Sequence, residues 1–222
     1  MKLANYESFL ESDKINAVFR ANYAIAALKN ASLPNNLLDV GCGSGELLRL
    51  ARAHGIPEVV GVDGVQDALD ACKDISAKLY DVDLNLSGLP FQDGQFDAVT
   101  CLEVLEHLYA PQNTLKEIAR VTAPGGYVVV SVPNQFNYSM RLRILLGHNI
   151  SDPARIGGHI KFFRPMDLKA ICEHCGFQQV KIAGLPYPTA RKRYGVLAEM
   201  VIKMMPGIFA TWLFAYCQKP NN

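Results

Sequence analysis

Leu37-Leu38-Asp39-Val40-Gly41-Cys42-Gly43-Ser44-Gly45-Glu46-Leu47-Leu48 is the stretch whose reading decides the fold. Asn36 to Val40 is short and apolar, as a strand buried on both faces of a parallel sheet must be. Glu46 to His54 carries Leu47, Leu48, Leu50 and Ala51 at helical spacing and is ended by Gly55 and Pro57. Between strand and helix stand glycines at every second position. Such a turn lets a ligand approach the backbone with no Cβ in the way, and it aims the free N–H groups of the helix start at that ligand. A dinucleotide fingerprint would spend its third glycine where Glu46 stands, so the spacing is wrong for a nicotinamide dinucleotide.

Outward from this turn, strands and helices alternate. Glu58 to Val62 reads as a second strand ending at Asp63, 22 positions after Gly41. That is near the ~20-residue offset at which an acid after the second strand meets a ribose hydroxyl pair. Asp67 to Lys73 gives a helix, and Ala77 to Tyr80 a third strand followed by Asp81-Val82-Asp83. A turn at Asp93-Gly94 leads into a fourth strand through Cys101. Asn113 to Val121 is helical, and Ala123-Pro124-Gly125-Gly126 turns into a fifth strand, Tyr127 to Val132. Phe136 to Leu146 is a cationic amphipathic helix. Pro165 to His174 is a helix capped by Gly176, Phe177 to Ala183 a sixth strand, and Gly195 to Met205 a further helix. Ile208 to Gln218 is expected to pair antiparallel at the sheet edge. Ahead of everything, Tyr6, Phe9, Leu10, Ile15, Val18, Phe19 and their successors to Leu28 predict one or two amphipathic helices. The pattern predicts a doubly wound α/β fold with a seven-stranded, mostly parallel sheet, an antiparallel last strand and helices on both faces.

With Asp39 ahead of them, Gly41, Gly43 and Gly45 resemble motif I of the class I S-adenosylmethionine-dependent methyltransferases. The runs LPFQDGQFDAVTCLEVLEHL, LKEIARV and APGGYVVVSVPN, taken with Asp63, resemble the O-methyltransferases of ubiquinone biosynthesis in order and spacing, over about residues 36 to 134. Gly157-Gly158-His159-Ile160-Lys161-Phe162-Phe163 resembles the same family, in which a His before a Lys/Arg-aromatic pair follows a substrate lid. The resemblance implies a Rossmann-like fold and S-adenosyl-L-methionine as methyl donor. It implies contacts from Asp39, Gly41, Cys42, Gly43, Gly64 and Leu102, with Asp63 on the ribose. An acid after the third strand would take the adenine: Asp81 first, Asp83 as the alternative, with Val82 beside it. The leading helix of this family often covers cofactor and acceptor, which makes Tyr6 and Arg20 candidate contacts.

Methyl transfer from a sulfonium is an in-line displacement that depends mainly on alignment. An oxygen acceptor must still lose its proton, to a base or with the help of a metal. Glu103, Glu106 and His107 fall at i, i+3 and i+4, on one face of a helix expected after the fourth strand. In the resembled enzymes, and in small-RNA 2′-O-methyltransferases, Glu-x-x-Glu-His is tied to a divalent ion. The latter add a distant His, which His159 would supply. Two carboxylates and two imidazoles suit manganese, iron or zinc better than magnesium. A second reading has Glu106 and His107 bracing the helix while Glu103 lines the pocket. Without a metal, His107 or His159 is the candidate general base.

Composition limits the rest. With 222 residues, half of them hydrophobic, the chain can bury one full core. The expected organisation is a single domain over 1–222: an N-terminal helical cap at 1–35, a cofactor-binding core at 36–134, a lid insertion at 135–164, and the remainder of the sheet at 165–222. A net charge of +1 offers no field for a polyanion, and Arg191-Lys192-Arg193 is the one basic run, so nucleic acid is not the expected partner. A small or lipid-like acceptor is, with peripheral membrane contact through 136–146, where Arg141 and Arg143 could meet anionic headgroups. Six cysteines scattered through apolar surroundings, and a start (MKLANYESFLESDK) without the layout of a secretory signal, suggest a reduced cytoplasmic protein. Cys172-Glu173-His174-Cys175 lacks a second ligand pair for a metal knuckle, and the apolar run Met204 to Cys217 is too short to span a bilayer and is broken by Pro206-Gly207. Two rivals stay open: RNA 2′-O-methylation, and a non-catalytic cofactor-binding partner that regulates another enzyme, which is implied by a resemblance of the glycine motif and of Pro133-Asn134-Gln135-Phe136 with Arg141-Leu142 to methionine-biosynthesis proteins with a Pro-Asn-aromatic-Arg-Leu stretch.

Overall fold

The computed structural model describes residues 3–31, 33–148, 158–187 and 200–221, with side chains from Lys14 onward. Its elements are α1 (Leu3–Ala31), β1 (Asn36–Val40), α2 (Glu46–Ala53), β2 (Glu58–Asp63), α3 (Gln66–Asp70), β3 (Lys78–Asp81), β4 (Phe96–Leu102), α4 (Pro111–Val121), β5 (Thr122–Pro133), α5 (Tyr138–Leu145), α6 (Pro165–His174), β6 (Gln178–Leu185), α7 (Pro206–Phe209) and β7 (Trp212–Gln218). Residues 200–204 are also helical; the rest of the helix expected from Gly195 lies outside the described residues, as does the basic run 191–193.

The seven strands run in the order β3-β2-β1-β4-β5-β7-β6. From β3 to β5 every pairing is parallel, and β7 is antiparallel to both neighbours. Period-two alternation splits β1 between two cores. Leu37 packs on one face with Ile25 and Leu28 of α1 and Leu47 and Leu48 of α2, and Leu38 packs on the other with Leu115 and Ile118 of α4 and Leu168 of α6. Strands covered on both faces must be apolar throughout, which is why β1 and β4 carry no alternating polar row. The chain leaves β1 toward β2 on one side and returns as β4 on the other, so a crevice opens above the carboxyl end of β1.

One expectation is corrected. The last strand does not lie at the sheet edge but between β5 and β6. Composition explains it: Trp212, Leu213, Phe214 and Ala215 are all buried, whereas β6 carries exposed Gln178, Gln179 and Lys181, suited to an edge. The strand also starts at Trp212 rather than Ile208, because Pro206 opens the helical turn α7, its fixed φ suiting the first helical position. Among the described residues no helix is long and apolar enough to cross a membrane.

Asn134 fastens the end of β5 to this C-terminal return. Its buried amide NH2 donates to the carbonyls of Ala210 (2.9 Å) and Pro206 (3.2 Å), and its oxygen accepts from the N–H of Phe136 (3.1 Å). Truncation would strand these backbone groups in the interior, at a cost of about 1–3 kcal/mol. Asn134→Ala should lower the unfolding free energy by that amount in a urea titration, and an unchanged midpoint would show that the bonds are dispensable.

Candidate functional site

The crevice above β1 is a cavity of about 560 Å³, in the size range of small-ligand sites. The glycine turn forms its floor. Gly41, Gly43 and Gly45 all take left-handed backbone angles, with φ of 74°, 52° and 84°. At Gly41 a side chain is also excluded by space, since a Cβ there would collide with Val104. The turn is pinned to the end of β2: Gly43 N–H donates to Asp63 Oδ2 (2.9 Å), and the N–H of Val65 donates to Oδ1 (2.9 Å). Each carboxylate oxygen keeps a lone pair, and Asp63 lines the cavity.

Asp39, Gly41, Cys42, Gly43, Asp63, Gly64, Val82, Leu102, Glu103 and His107 all border this space. Asp81 does not: it is the last residue of β3, paired with Asp63, and Asp83 is the acid from that loop which lines the cavity. Arg20 of α1 lines it as well, its guanidinium 5.2 Å above the centre of the Trp212 ring. The side chain of Tyr6 lies outside the described residues. Asp39 is buried and accepts from Thr100 Oγ1 at 2.7 Å. Burial, opposed by that bond, pushes its carboxyl up to about 7.

The expected helix carrying Glu103, Glu106 and His107 is not present. Glu103 has φ of 58°, a left-handed angle that ends β4, and only a single 3₁₀ turn, Leu105–His107, follows. Glu103 is not among the donors that cluster with Glu106 and His107, and Ser131 Oγ donates to its Oε1 at 2.8 Å. Burial raises its pKa, against the Arg20 cation and bonds from Ser131 and Trp212. Such conformations at a non-glycine residue cost energy and concentrate at functional sites.

Glu106, His107 and His159 do come together. The Nε2 atoms of both histidines stand 3.9 Å from Glu106 Oε1, and the two rings meet edge to face with centroids 4.7 Å apart. The segment carrying His159 is held there by the backbone, since the N–H groups of Ile160 (2.8 Å) and Lys161 (3.1 Å) donate to the Glu106 carbonyl. Glu106 is fully buried, yet neither carboxyl oxygen has a hydrogen-bond partner. Burial, and then the neighbouring Glu103 carboxylate, raise its pKa well above the ordinary value. His159 is shifted the other way, downward, by burial and by His107. Glu106, His107 and His159 are, among the described residues, a group whose donor types could hold a divalent ion. The three donor atoms lie within 4.8 Å of one another, against about 3–3.5 Å for donors held at about 2.0–2.2 Å around one ion.

Sequence reasoning missed Ser131 and Trp212, which meet Glu103 from neighbouring strands, and Gln135, which touches His159. No spacing rule reaches across such separations. Only the resemblance linked His159 to Glu106.

A family model described as a methyltransferase domain matches residues 14–182. A ubiquinone biosynthesis O-methyltransferase from an Azoarcus species is 32% identical over 181 residues, covering 76% of this chain and 75% of the relative. Another of that description, from Hydrogenovibrio crunogenus, is 32% identical over 171 residues, with 71% and 68% covered. The structure of an S-adenosylmethionine-dependent methyltransferase from Archaeoglobus fulgidus superposes with a TM-score of 0.66 at 23% identity, over 96% of this chain and 99% of that one.

Asp39 gives the site a pH signature. A carboxyl whose pKa is higher in the folded than in the unfolded chain stabilises most below the unfolded value of 3.8, and that contribution is lost as pH rises through about 7. Asp39→Asn, neutral throughout, should therefore flatten the fall in thermal midpoint between about pH 4 and 7. Parallel curves for the variant and the parent protein would contradict the burial of this charge.

Proposed function

The chain belongs to the class I S-adenosylmethionine-dependent methyltransferases, and from that membership we propose that it transfers the methyl group to an oxygen of a small or lipid-like molecule. The observation that carries this reading is the Glu106–His107–His159 centre beside the cavity, with its buried, unpartnered carboxylate. An oxygen nucleophile needs its proton removed, and this centre supplies bases for that. The description of the Azoarcus relative as an O-methyltransferase supports the same choice.

In this reading the donor lies over the glycine turn. Asp63 takes the ribose hydroxyls with the lone pairs its backbone bonds leave free. Asp83, rather than Asp81, reads the adenine amino group beside Val82, a choice supported by its position on the cavity wall. Asp39 stiffens the turn from below through Thr100, and Gly41, Cys42, Gly43, Gly64 and Leu102 shape the walls. Arg20 faces the carboxylate of the amino-acid end, with Glu103 close by for its ammonium; Glu103 then serves binding instead of joining the metal set.

His159 is the preferred base. Its lowered pKa keeps it neutral near neutral pH, and His107, the more exposed ring at 40% against 23%, contacts the incoming acceptor. Where a divalent ion is bound, Glu106, His107 and His159 would hold it, and it would lower the pKa of the acceptor hydroxyl. Two imidazoles and one carboxylate favour zinc, iron or manganese.

The chain acts as one domain, with 1–35 as cap, 36–134 as donor-binding core, 135–164 as lid and 165–222 completing the sheet. A lipid-like acceptor is supported by α5, which buries nothing and exposes Leu142, Ile144 and Leu145 beside Arg141 and Arg143. Such a surface suits peripheral contact with anionic lipid, and nucleic acid is not the expected partner. Six buried free thiols are consistent with a reducing cytoplasm.

Two outcomes test this. Asp63→Ala should weaken S-adenosylhomocysteine binding by ten-fold or more in calorimetry, since each charge-assisted bond is worth about 1.5–3 kcal/mol; unchanged affinity would displace the ribose from this acid. Glu106→Gln and His159→Ala should each cut turnover on catechol or phenol acceptors about 10²–10⁴-fold with product affinity kept. Full activity in both would remove the centre from the chemistry.

A further inference from the structure

Gln135 is buried two residues beyond β5. Its side-chain amide lies 3.2 Å from Nδ1 of His159, the ring nitrogen that faces away from Glu106. The main chain fixes His159 on its other side, through the bonds of Ile160 and Lys161 to the Glu106 carbonyl. The ring therefore has one nitrogen toward Gln135 and the other toward the orphaned carboxyl.

A neutral imidazole carries a single proton, and whichever nitrogen holds it leaves the other as a lone pair. A side-chain amide can meet either form from the same position, because it carries a donor and an acceptor on one carbon. With its NH2 toward Nδ1 it forces the proton onto Nε2, and with its carbonyl there it accepts an Nδ1–H and frees the Nε2 lone pair. We propose that Gln135 is a positioning residue that sets the tautomer of His159, and that a half turn of its amide switches the centre between two states. In the resting state the amide NH2 bonds Nδ1, and Nε2–H points at Glu106, the only direction from which that buried acid can draw a donor on this ring. In the working state water, which reaches this partly exposed ring, has taken the Nε2 proton and returned one to Nδ1, with no net change in protons; the carbonyl holds Nδ1–H, and the Nε2 lone pair faces the space shared with Glu106 and His107, ready for a cation or an acceptor proton. Ligating histidines usually fix their second nitrogen through such an acceptor, and losing it costs 10–100-fold in metal affinity. The inference rests on the reading of Glu106, His107 and His159 as the reactive centre, but the tautomer can be measured without turnover.

Nitrogen-15 NMR of the His159 ring, with and without zinc, in the parent protein, Gln135→Glu and Gln135→Met tests it. The parent protein should carry the proton on Nε2 when metal-free and on Nδ1 with zinc. Gln135→Glu, whose carboxylate only accepts, should show Nδ1–H in both conditions. Gln135→Met should lose the preference and, in a cobalt absorbance titration, bind 10–100-fold more weakly, while Gln135→Glu retains affinity. An identical tautomer in all three metal-free proteins would overturn the proposal. If the parent protein takes up no metal, the cation reading of the centre fails, and the metal-free spectra still decide the role of Gln135.

Discussion

Everything in this molecule that bears on chemistry depends on β1 ending where its neighbours part company. A strand buried on both faces has no freedom to bend before its last residue, so the chain must turn abruptly at Gly41. It does so through left-handed glycines, and the turn is locked by the N–H of Gly43 on the carboxylate of Asp63. That bond joins the first two strands at the mouth of the cavity. It also holds Asp63 facing inward, so the feature that shapes the turn is the one proposed to recognise the donor.

A second constraint is electrostatic. Asp39, Glu103 and Glu106 gather at the carboxyl ends of β1 and β4, and burial raises all three. Each has a different neighbourhood. Asp39 is answered by a hydroxyl, Glu103 by Ser131 and the Arg20 cation, and Glu106 by nothing but two imidazoles at 3.9 Å. A buried carboxyl without a partner is held in its neutral form, and the graded satisfaction of these three acids leaves Glu106 as the one with most to gain from a partner. Of the two glutamates, Glu103, with its left-handed angle, lines the cavity, and Glu106 sits with the histidines.

Much of this was legible in the residues. The glycine spacing and apolar runs locate β1, α2 and β2, because a parallel strand and its turn are local in sequence. The order of the C-terminal strands was less visible, since edge and interior positions are chosen by competition between β6 and β7 for burial. The stretch after β4 misled for a different reason. Leu102-Glu103-Val104-Leu105-Glu106-His107 has helical periodicity, yet the bond of the Glu103 N–H to Ser131 holds the backbone to the sheet one residue longer and leaves room for only a 3₁₀ turn. Tertiary pairing overrode local propensity there.

The most direct measurement is a crystal structure with S-adenosylhomocysteine bound. The proposed chemistry requires the ribose hydroxyls on Asp63 and the sulfur directed toward the space before His107 and His159, leaving room between them for one methyl group and an acceptor oxygen. A nucleoside seated elsewhere, or a sulfur facing away from both imidazoles, would contradict it.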